Sequence, residues 1–337
     1  MANFITKSFT HTYAGKELIQ ELFYTPQEGS QNVFANYRVL PNVKTKINMY
    51  LPGTLNDIVR EYTTCGFSAT GSAINVTDKV LDVEKLKVNL EQCVDTFFDT
   101  IFEETMGAGI DIDNAQGTII EEIARTKVVD GIRDDLGKIA WFAQDGAASA
   151  SYNMFDGWIQ LFVDDSSSLG QYVDMDTIAG VETTGVLDTD GALALLRNMY
   201  ENQSKELRQI PARDKKFYVT ATVIDNLMTT YEDTQSGTGL LRLIDGGNMA
   251  FRGIEVVEVT GWDTQLDDVN NPQASLIGDN LVIYTSPSNL VIGTDVSAPE
   301  NELKFRFNDD DDELLKIISK FRMGVQYVHP VLVSMAY

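Results

Sequence analysis

Asn114 to Gln144 constrain this chain most, because they read as one uninterrupted helix of unusual length. Ile120, Ala124, Val128, Ile132, Leu136, Ile139 and Ala143 recur at three- and four-residue steps and so share one face. Glu121, Arg125, Lys127, Arg133, Asp134 and Lys138 populate the other, a solvent-type mixture of both signs. Asn114 is the expected N-cap, and Glu121 and Glu122 suit the first turns, where the helix dipole favours anions. At about 1.5 Å per residue the helix spans roughly 45 Å. A single amphipathic rod of that length needs an equally long apolar surface to lie on.

The C-terminus supplies one. From Glu313 to Val328 the chain alternates with period two: Leu315, Ile317, Phe321, Met323, Val325 and Tyr327 share a face, and Lys316, Lys320, Arg322 and Gln326 take the other. Leu303, Phe305 and Phe307 alternate with Lys304 and Arg306 just before it, and Asn308 to Asp312 make the turn. A long helix laid along a long hairpin is an elongated plate. That geometry suits a building block better than a closed enzyme core.

The 337 residues, 43% hydrophobic and 9% aromatic, suffice for a packed core, as one large domain or two to three smaller ones. A net charge of −24 argues against nucleic-acid binding through a basic surface and against anchoring on anionic lipid. No apolar run approaches the roughly 20 residues that span a bilayer, and Met1 to Thr6 open no signal peptide, so no membrane association is expected. Cys65 and Cys93, alone in so long a chain, are expected to stay reduced, which favours synthesis inside a cell.

Residues 1 to about 30 are polar and weakly patterned, with Leu18, Ile19, Leu22 and Phe23 as a short amphipathic helix; they read as an arm that needs a partner surface. Val43, Ile47, Met49 and Leu51 alternate with polar residues. After the Gly-, Ser- and Thr-rich stretch Thr63 to Thr77, Leu86, Val88 and Leu90 alternate again. The two runs suggest an extended two-stranded arm. Val94 to Met106 reads as a helix with Phe97, Phe98, Ile101 and Phe102 as its stripe. Thr189 or Asp190 caps a helix through Leu193, Leu196, Met199 and Tyr200. Strands at Phe217–Thr220, Ile254–Val259 and Leu281–Tyr284, with a helix over Thr222–Tyr231, make residues 190 to 300 a compact α+β unit.

Catalytic chemistry is hard to find. The two histidines, His11 and His329, are too few and too badly placed for a zinc site or a Ser-His-Asp arrangement. Phosphate-loop, nucleophile-elbow and metalloprotease motifs are missing, and Cys65 lacks a suggested base. Asp309 to Asp312 can attract calcium, but a solvated hairpin turn that resists edge pairing explains them better. Asp111, Asp113 and Glu122 match the first, third and twelfth positions of a calcium loop, yet the fifth ligand and the glycine are lacking, so helix capping is preferred. Asp188 to Gly191 likewise reads as a cap, and Trp141 and Phe142 as core. Neither a metal nor a cofactor is expected, and no enzymatic activity.

The order of these segments resembles the major capsid proteins of tailed bacteriophages, whose shell fold is the Hong Kong 97 type. Ile139-Ala140-Trp141-Phe142 closing the long helix and Phe155-Asp156-Gly157-Trp158 after it carry the resemblance. So do Lys216–Thr220, Phe251–Val257, Asn289–Gly293 and Arg322–Gln326. The resemblance covers nearly the whole chain and implies an α+β fold. Its parts are an N-terminal arm (1–30), the start of a peripheral domain (31–45) and an extended E-loop hairpin (46–83). A peripheral domain with the spine helix (84–189), a compact axial domain (190–300) and a return hairpin with the C-terminus (301–337) follow. Met49, Leu51, Cys65, Phe67, Ile74 and Val76 are the residues expected to carry the intersubunit arm.

The implied function is self-assembly, through pentamers and hexamers, into an icosahedral shell around double-stranded DNA held without sequence-specific contacts. The implied location is the virion, after synthesis in the bacterial cytoplasm. A portal, a separate scaffolding protein and a decoration protein are the implied partners; the hairpin begins within about 45 residues, so no room for a scaffolding segment within the chain is expected. An encapsulin-like nanocompartment shell has the same fold. A tail or baseplate protein is a further structural reading, against which the spine helix counts, and a carboxylate-dependent hydrolase is a third class.

Overall fold

The computed structural model describes residues 10–14, 37–52, 76–93, 119–183, 185–233, 241–243, 249–259, 261–295, 302–308 and 311–337. Strands and helices are numbered in chain order among these residues. Expected features at 18–23, 65–74, 94–106 and 111–118, and Asp309 and Asp310, lie outside them.

The long helix is present as α1 (Ile119–Phe142). Its buried stripe is Val128, Ile132, Leu136 and Ile139, joined by Val129 and Ala140, while Lys127, Asp134 and Asp135 face water. The stripe belongs to one hydrophobic cluster with Leu303, Ile317, Phe321, Met323 and Val325 of the C-terminal hairpin. Helix and ribbon therefore bury each other's apolar face, as their two periodicities require. Leu136 is 1% exposed, so Leu136→Ala is expected to cost about 2–5 kcal/mol, and Lys127→Ala to stay within about 0.5 kcal/mol. Urea denaturation of both variants checks the assignment of faces: equal losses mean it is wrong.

The hairpin is β15 (Glu302–Asn308) and β16 (Asp311–Tyr327), the latter of 17 residues. Phe305 opposes Ile317 and Lys304 opposes Ile318. The same sheet takes β1 (Thr10–Ala14) on the outer edge of β15, and β14 (Leu290–Gly293) and then β2 (Arg38–Leu40) on the far half of β16. Thus Thr10 to Ala14 of the polar N-terminal arm already has a partner within the chain.

β5 (Glu84–Cys93) corrects the expected arm. Leu86, Val88 and Leu90 do not form its second strand; β5 runs antiparallel along β16, with Leu86 opposite Phe321 and Leu90 opposite Ile317. The true partner of β3 (Lys46–Pro52) is β4 (Val76–Asp82), from Lys46 opposite Asp82 to Pro52 opposite Val76. Both β4 and β5 alternate. Alternation specifies which face is apolar and leaves the neighbouring strand open.

A second sheet runs β10 (Leu241–Leu243), β11 (Met249–Phe251), β12 (Ile254–Glu258), β9 (Lys216–Val219), β13 (Val282–Thr285), β17 (Val333–Ala336) and β6 (Gln171–Val173). β9 and β12 are parallel, connected through α5 (Ala221–Asp233). α3 (Gly191–Glu201) buries Leu193, Leu195, Leu196 and Met199 in the same cluster as Phe217, Val223, Leu227 and Val256. Asp190 stands at the α3 N-cap position but its side chain makes no cap bond; Asn226 Oδ1 accepts from Ala192 N instead, at 3.1 Å. Val333–Ala336, expected with the spine helix, lies in this sheet, and Leu290–Gly293, expected in the compact unit, lies in the first. A small hairpin, β7 (Glu182–Thr183) and β8 (Val186–Leu187), stands apart.

An aromatic hub joins the layers. Trp141 at the end of α1 meets Trp158 of α2 (Trp158–Asp164) at 4.7 Å and Trp262 of α6 (Trp262–Leu266) at 4.9 Å, both edge-on. Tyr37 and Tyr218 close the group. Trp141 and Phe142 are fully buried, as expected.

Candidate functional site

The β3–β4 ribbon has two unlike faces. Ile47, Met49 and Leu51 sit beside Leu81, Lys79 and Thr77; Lys46, Asn48, Tyr50 and Pro52 sit beside Asp82, Val80, Asp78 and Val76. Met49, Leu81 and Lys79 of the first face turn toward the body, where Val43, Leu81, Val83 and Val291 form a small buried cluster with Met49, Leu40 and Val328 packed on it. The second carries a Lys46–Asp82 ion pair and an Asn48 to Asp78 hydrogen bond of 3.3 Å. Ile47, Tyr50 and Val80 stay exposed, Tyr50 at 69%.

Three alternate residues of β16 receive the ribbon's base. Arg322 donates to the Lys44 carbonyl, Gly324 lies against the Asp82 carbonyl, and Gln326 Nε2 donates to the Val80 carbonyl at 2.9 Å. The intervening residues Phe321, Met323 and Val325 point the other way, into the spine cluster. Gly324 stands directly opposite Gly293 in the β14–β16 ladder. A side chain at Gly324 would put its Cβ 1.8 Å from Asp82 O, and one at Gly293 would put its Cβ 2.8 Å from Leu81 Cδ2. The glycine pair is the notch through which the ribbon crosses the sheet. Val43 N to Thr294 O at 3.0 Å ties the ribbon's entry to the end of β14 beside it, and Val83 N to Thr45 O at 2.8 Å closes the ribbon's two strands on each other.

A polar latch fixes the ribbon's direction. Lys79 Nζ pairs with Asp165 just after α2, donates to the Tyr327 hydroxyl at 2.9 Å and lies 4.2 Å from that ring's centre; the Tyr327 hydroxyl also bonds Asp165. Burial by itself raises the Asp165 pKa, but the hydrogen bonds from Lys79 and Tyr327 and the Lys79 charge outweigh it and hold the carboxyl below its ordinary range. Burial, then the Asp165 bond and charge, push the Tyr327 hydroxyl well up.

A carboxyl whose folded pKa is depressed stabilises the fold above its unfolded pKa of about 3.9, and that contribution is lost as pH falls through the folded value. Hydrogen exchange of the β4 amides is the measurement. Wild type is expected to be better protected than Asp165→Asn near about pH 6, with the difference shrinking only as pH falls below about 3.9 and through the lower folded value. Equal protection at the higher pH means the latch does not hold the ribbon.

Of the residues expected to carry the intersubunit arm, Met49 packs toward the body, Leu51 opposes Thr77 and Val76 opposes Pro52. Cys65, Phe67 and Ile74 lie outside the described residues. Sequence reasoning missed Lys79, Asp165 and Tyr327, which are 86 to 248 residues apart in pairs. The available signal was weak: glycines inside alternating strands, at 293 and 324. Among the described residues no group of three or more His, Cys, Asp or Glu gathers as a metal site would, and no helix is long and apolar enough to cross a membrane.

No protein-family model matches the chain, and no curated protein sequence does. Solved structures do. A chain of the satellite phage P4 procapsid that includes the size determination (Sid) protein matches with a TM-score of 0.62 at 10% identity, over 96% of this chain and 90% of that one. The capsid of a native GTA particle gives 0.53 at 10% identity, over 93% and 92%. A structure from Microbacterium phage Oxtober96 gives 0.52 at 13% identity, over 93% and 92%. With the arm, the spine helix and the two sheets in that order, the chain has the α+β, Hong Kong 97-type fold of tailed-phage major capsid proteins.

Proposed function

We propose that this chain is a major capsid protein, whose copies assemble through pentamers and hexamers into an icosahedral shell around double-stranded DNA. The observation that carries the reading is a capsid-type fold over 96% of the chain, combined with a ribbon that leaves the body through a notch and a latch. An isolated two-stranded ribbon is marginal in water, because one face buries too little apolar area to offset its ordering entropy. The notch and latch give its base a set direction, and a neighbouring subunit supplies the rest of its surface. In this reading residues 46–83 are the E-loop, and Met49, Leu51, Cys65, Phe67, Ile74 and Val76 belong to the intersubunit arm.

The role is structural and not enzymatic, and the place of work is the virion. The net charge of −24 suits a shell that must fill with DNA without adsorbing it tightly. A portal, a separate scaffolding protein and a decoration protein are the partners such a shell calls on. Negative-stain microscopy and size-exclusion chromatography test the reading. Closed or polymorphic shells are expected, with or without a scaffolding partner. A strictly monomeric protein at high concentration, alone and with the products of neighbouring genes, overturns it.

A further inference from the structure

The first sheet has one face that the spine helix covers and one that it does not. On the uncovered face the chain reverses its character. Lys85 and Lys87 of β5, Lys316, Lys320 and Arg322 of β16 and Lys304 of β15 all alternate out of the buried set, in a chain whose net charge is −24. Register sharpens this. Lys87 stands directly opposite Lys320, and Lys85 directly opposite Arg322. Like charges facing each other across strands destabilise a sheet; the same rows set Glu302 opposite Lys320 and Glu91 opposite Lys316, which offset part of this, and the cations still outnumber the acids on the face. Lys87 meets the neutral amide of Asn89, 2.8 Å away when the amide oxygen is turned toward it. Lys87 and Lys320 are both exposed.

This face also continues a surface already used for chain packing. Arg322, Gly324 and Gln326, on the same side of β16 as Lys320, carry the base of the chain's own ribbon. The basic strip is the next ground along that face. We infer that the basic face of β5, β16 and β15 seats a second copy of this chain, which lays carboxylates over the Lys87–Lys320 row. The inference rests on the shell reading and adds to it the surface and the chemistry of one contact. Copies of charge −24 repel one another, and a concentrated basic face set against a neighbour's acids offsets that repulsion where the copies meet.

The test compares three variants with the wild type. Lys87→Glu with Lys320→Glu keeps a like-charge pair within the subunit and inverts what the pair offers a neighbour; Glu302 stands opposite Lys320, so the melting temperature is read beside the shell yield to separate a loss of fold from a loss of contact. Lys205→Glu with Arg213→Glu makes the same change in net charge at exposed positions elsewhere. Lys87→Gln relieves the repulsion within the subunit. Shell yield, by sedimentation and microscopy, is expected to fall about tenfold or more in the first double variant and to hold in the second. Lys87→Gln is expected to melt no lower than wild type yet to assemble less well, a combination that a purely structural lysine does not give.

Equal loss in both double variants reduces the effect to total charge and overturns the inference. Normal shells from the first double variant, with less nucleic acid inside, assign the face to nucleic acid and overturn it too. A wild type that never assembles overturns the shell reading itself, and the inference with it.

Discussion

Replacing residues 53–75 with an Asn-Gly turn is expected to leave a folded, cooperatively melting subunit that no longer closes shells. The ladder of β3 and β4 ends with Pro52 opposite Val76, so a two-residue turn closes it in register, and Asn-Gly suits the type I′ geometry of such a turn. The excision spares everything that holds the ribbon's base: the Val43, Leu81, Val83 and Val291 cluster, the glycine notch and the Lys79–Asp165–Tyr327 latch. The melting temperature is therefore expected to stay within a few degrees of wild type. Assembly is expected to fail outright, since in the proposed reading the deleted stretch belongs to the arm that meets a neighbouring subunit. Calorimetry and microscopy on the same preparation read the two effects separately. Normal shells from this variant remove the arm from the assembly mechanism and weaken the capsid reading with it.

Gly324→Ala is the single substitution expected to do most harm. Its Cβ would lie 1.8 Å from Asp82 O, 2.9 Å from that carbonyl carbon and 3.0 Å from Val83 Cα, all backbone atoms that no rotamer change can withdraw. The ribbon must lift off the sheet, which exposes Leu81 and Val83, now 0% and 5% exposed, and breaks the Gln326 bond to Val80. Overpacking usually costs about 1–3 kcal/mol, and here the cost is expected at or beyond the upper end. Gly293→Ala is the informative comparison. Its nearest neighbours are side-chain atoms of Leu81 and Val83, which can turn aside, so about 1–2 kcal/mol is expected. Urea denaturation ranks the two, and hydrogen exchange at Val43 N, bonded to Thr294 O at the end of β14, reports whether the ribbon has lifted. Equal tolerance of both substitutions means the crossing is misplaced.

Much of the fold was legible in particular residues. The stripe from Val128 to Ile139 and the alternation from Ile317 to Tyr327 announced two long amphipathic elements, and each had to cover the other. Lys216–Val219, Ala221–Asp233 and Ile254–Glu258 stand within a residue or two of their expected positions, because short apolar strands and an amphipathic helix are local patterns. The candidate site was legible only in outline. Ile47, Met49 and Leu51 marked one strand of the ribbon, but the other strand was placed at Leu86 to Leu90 when it is Val76 to Asp82.

Periodicity explains both results. A repeat of 3.6 or 2 is a property of neighbouring residues, so the sequence alone determined that a long helix and long strands exist and which of their faces are buried. It carries no record of which strand lies beside which. That Val333–Ala336 crosses to the second sheet, that β5 lies along β16 and that Gly293 meets Gly324 were decided only by tertiary structure. Asp165 and Tyr327 likewise converge on Lys79 from separate elements. Such pairings form where burial, register and charge across long loops agree at once, and no local window of sequence contains those terms.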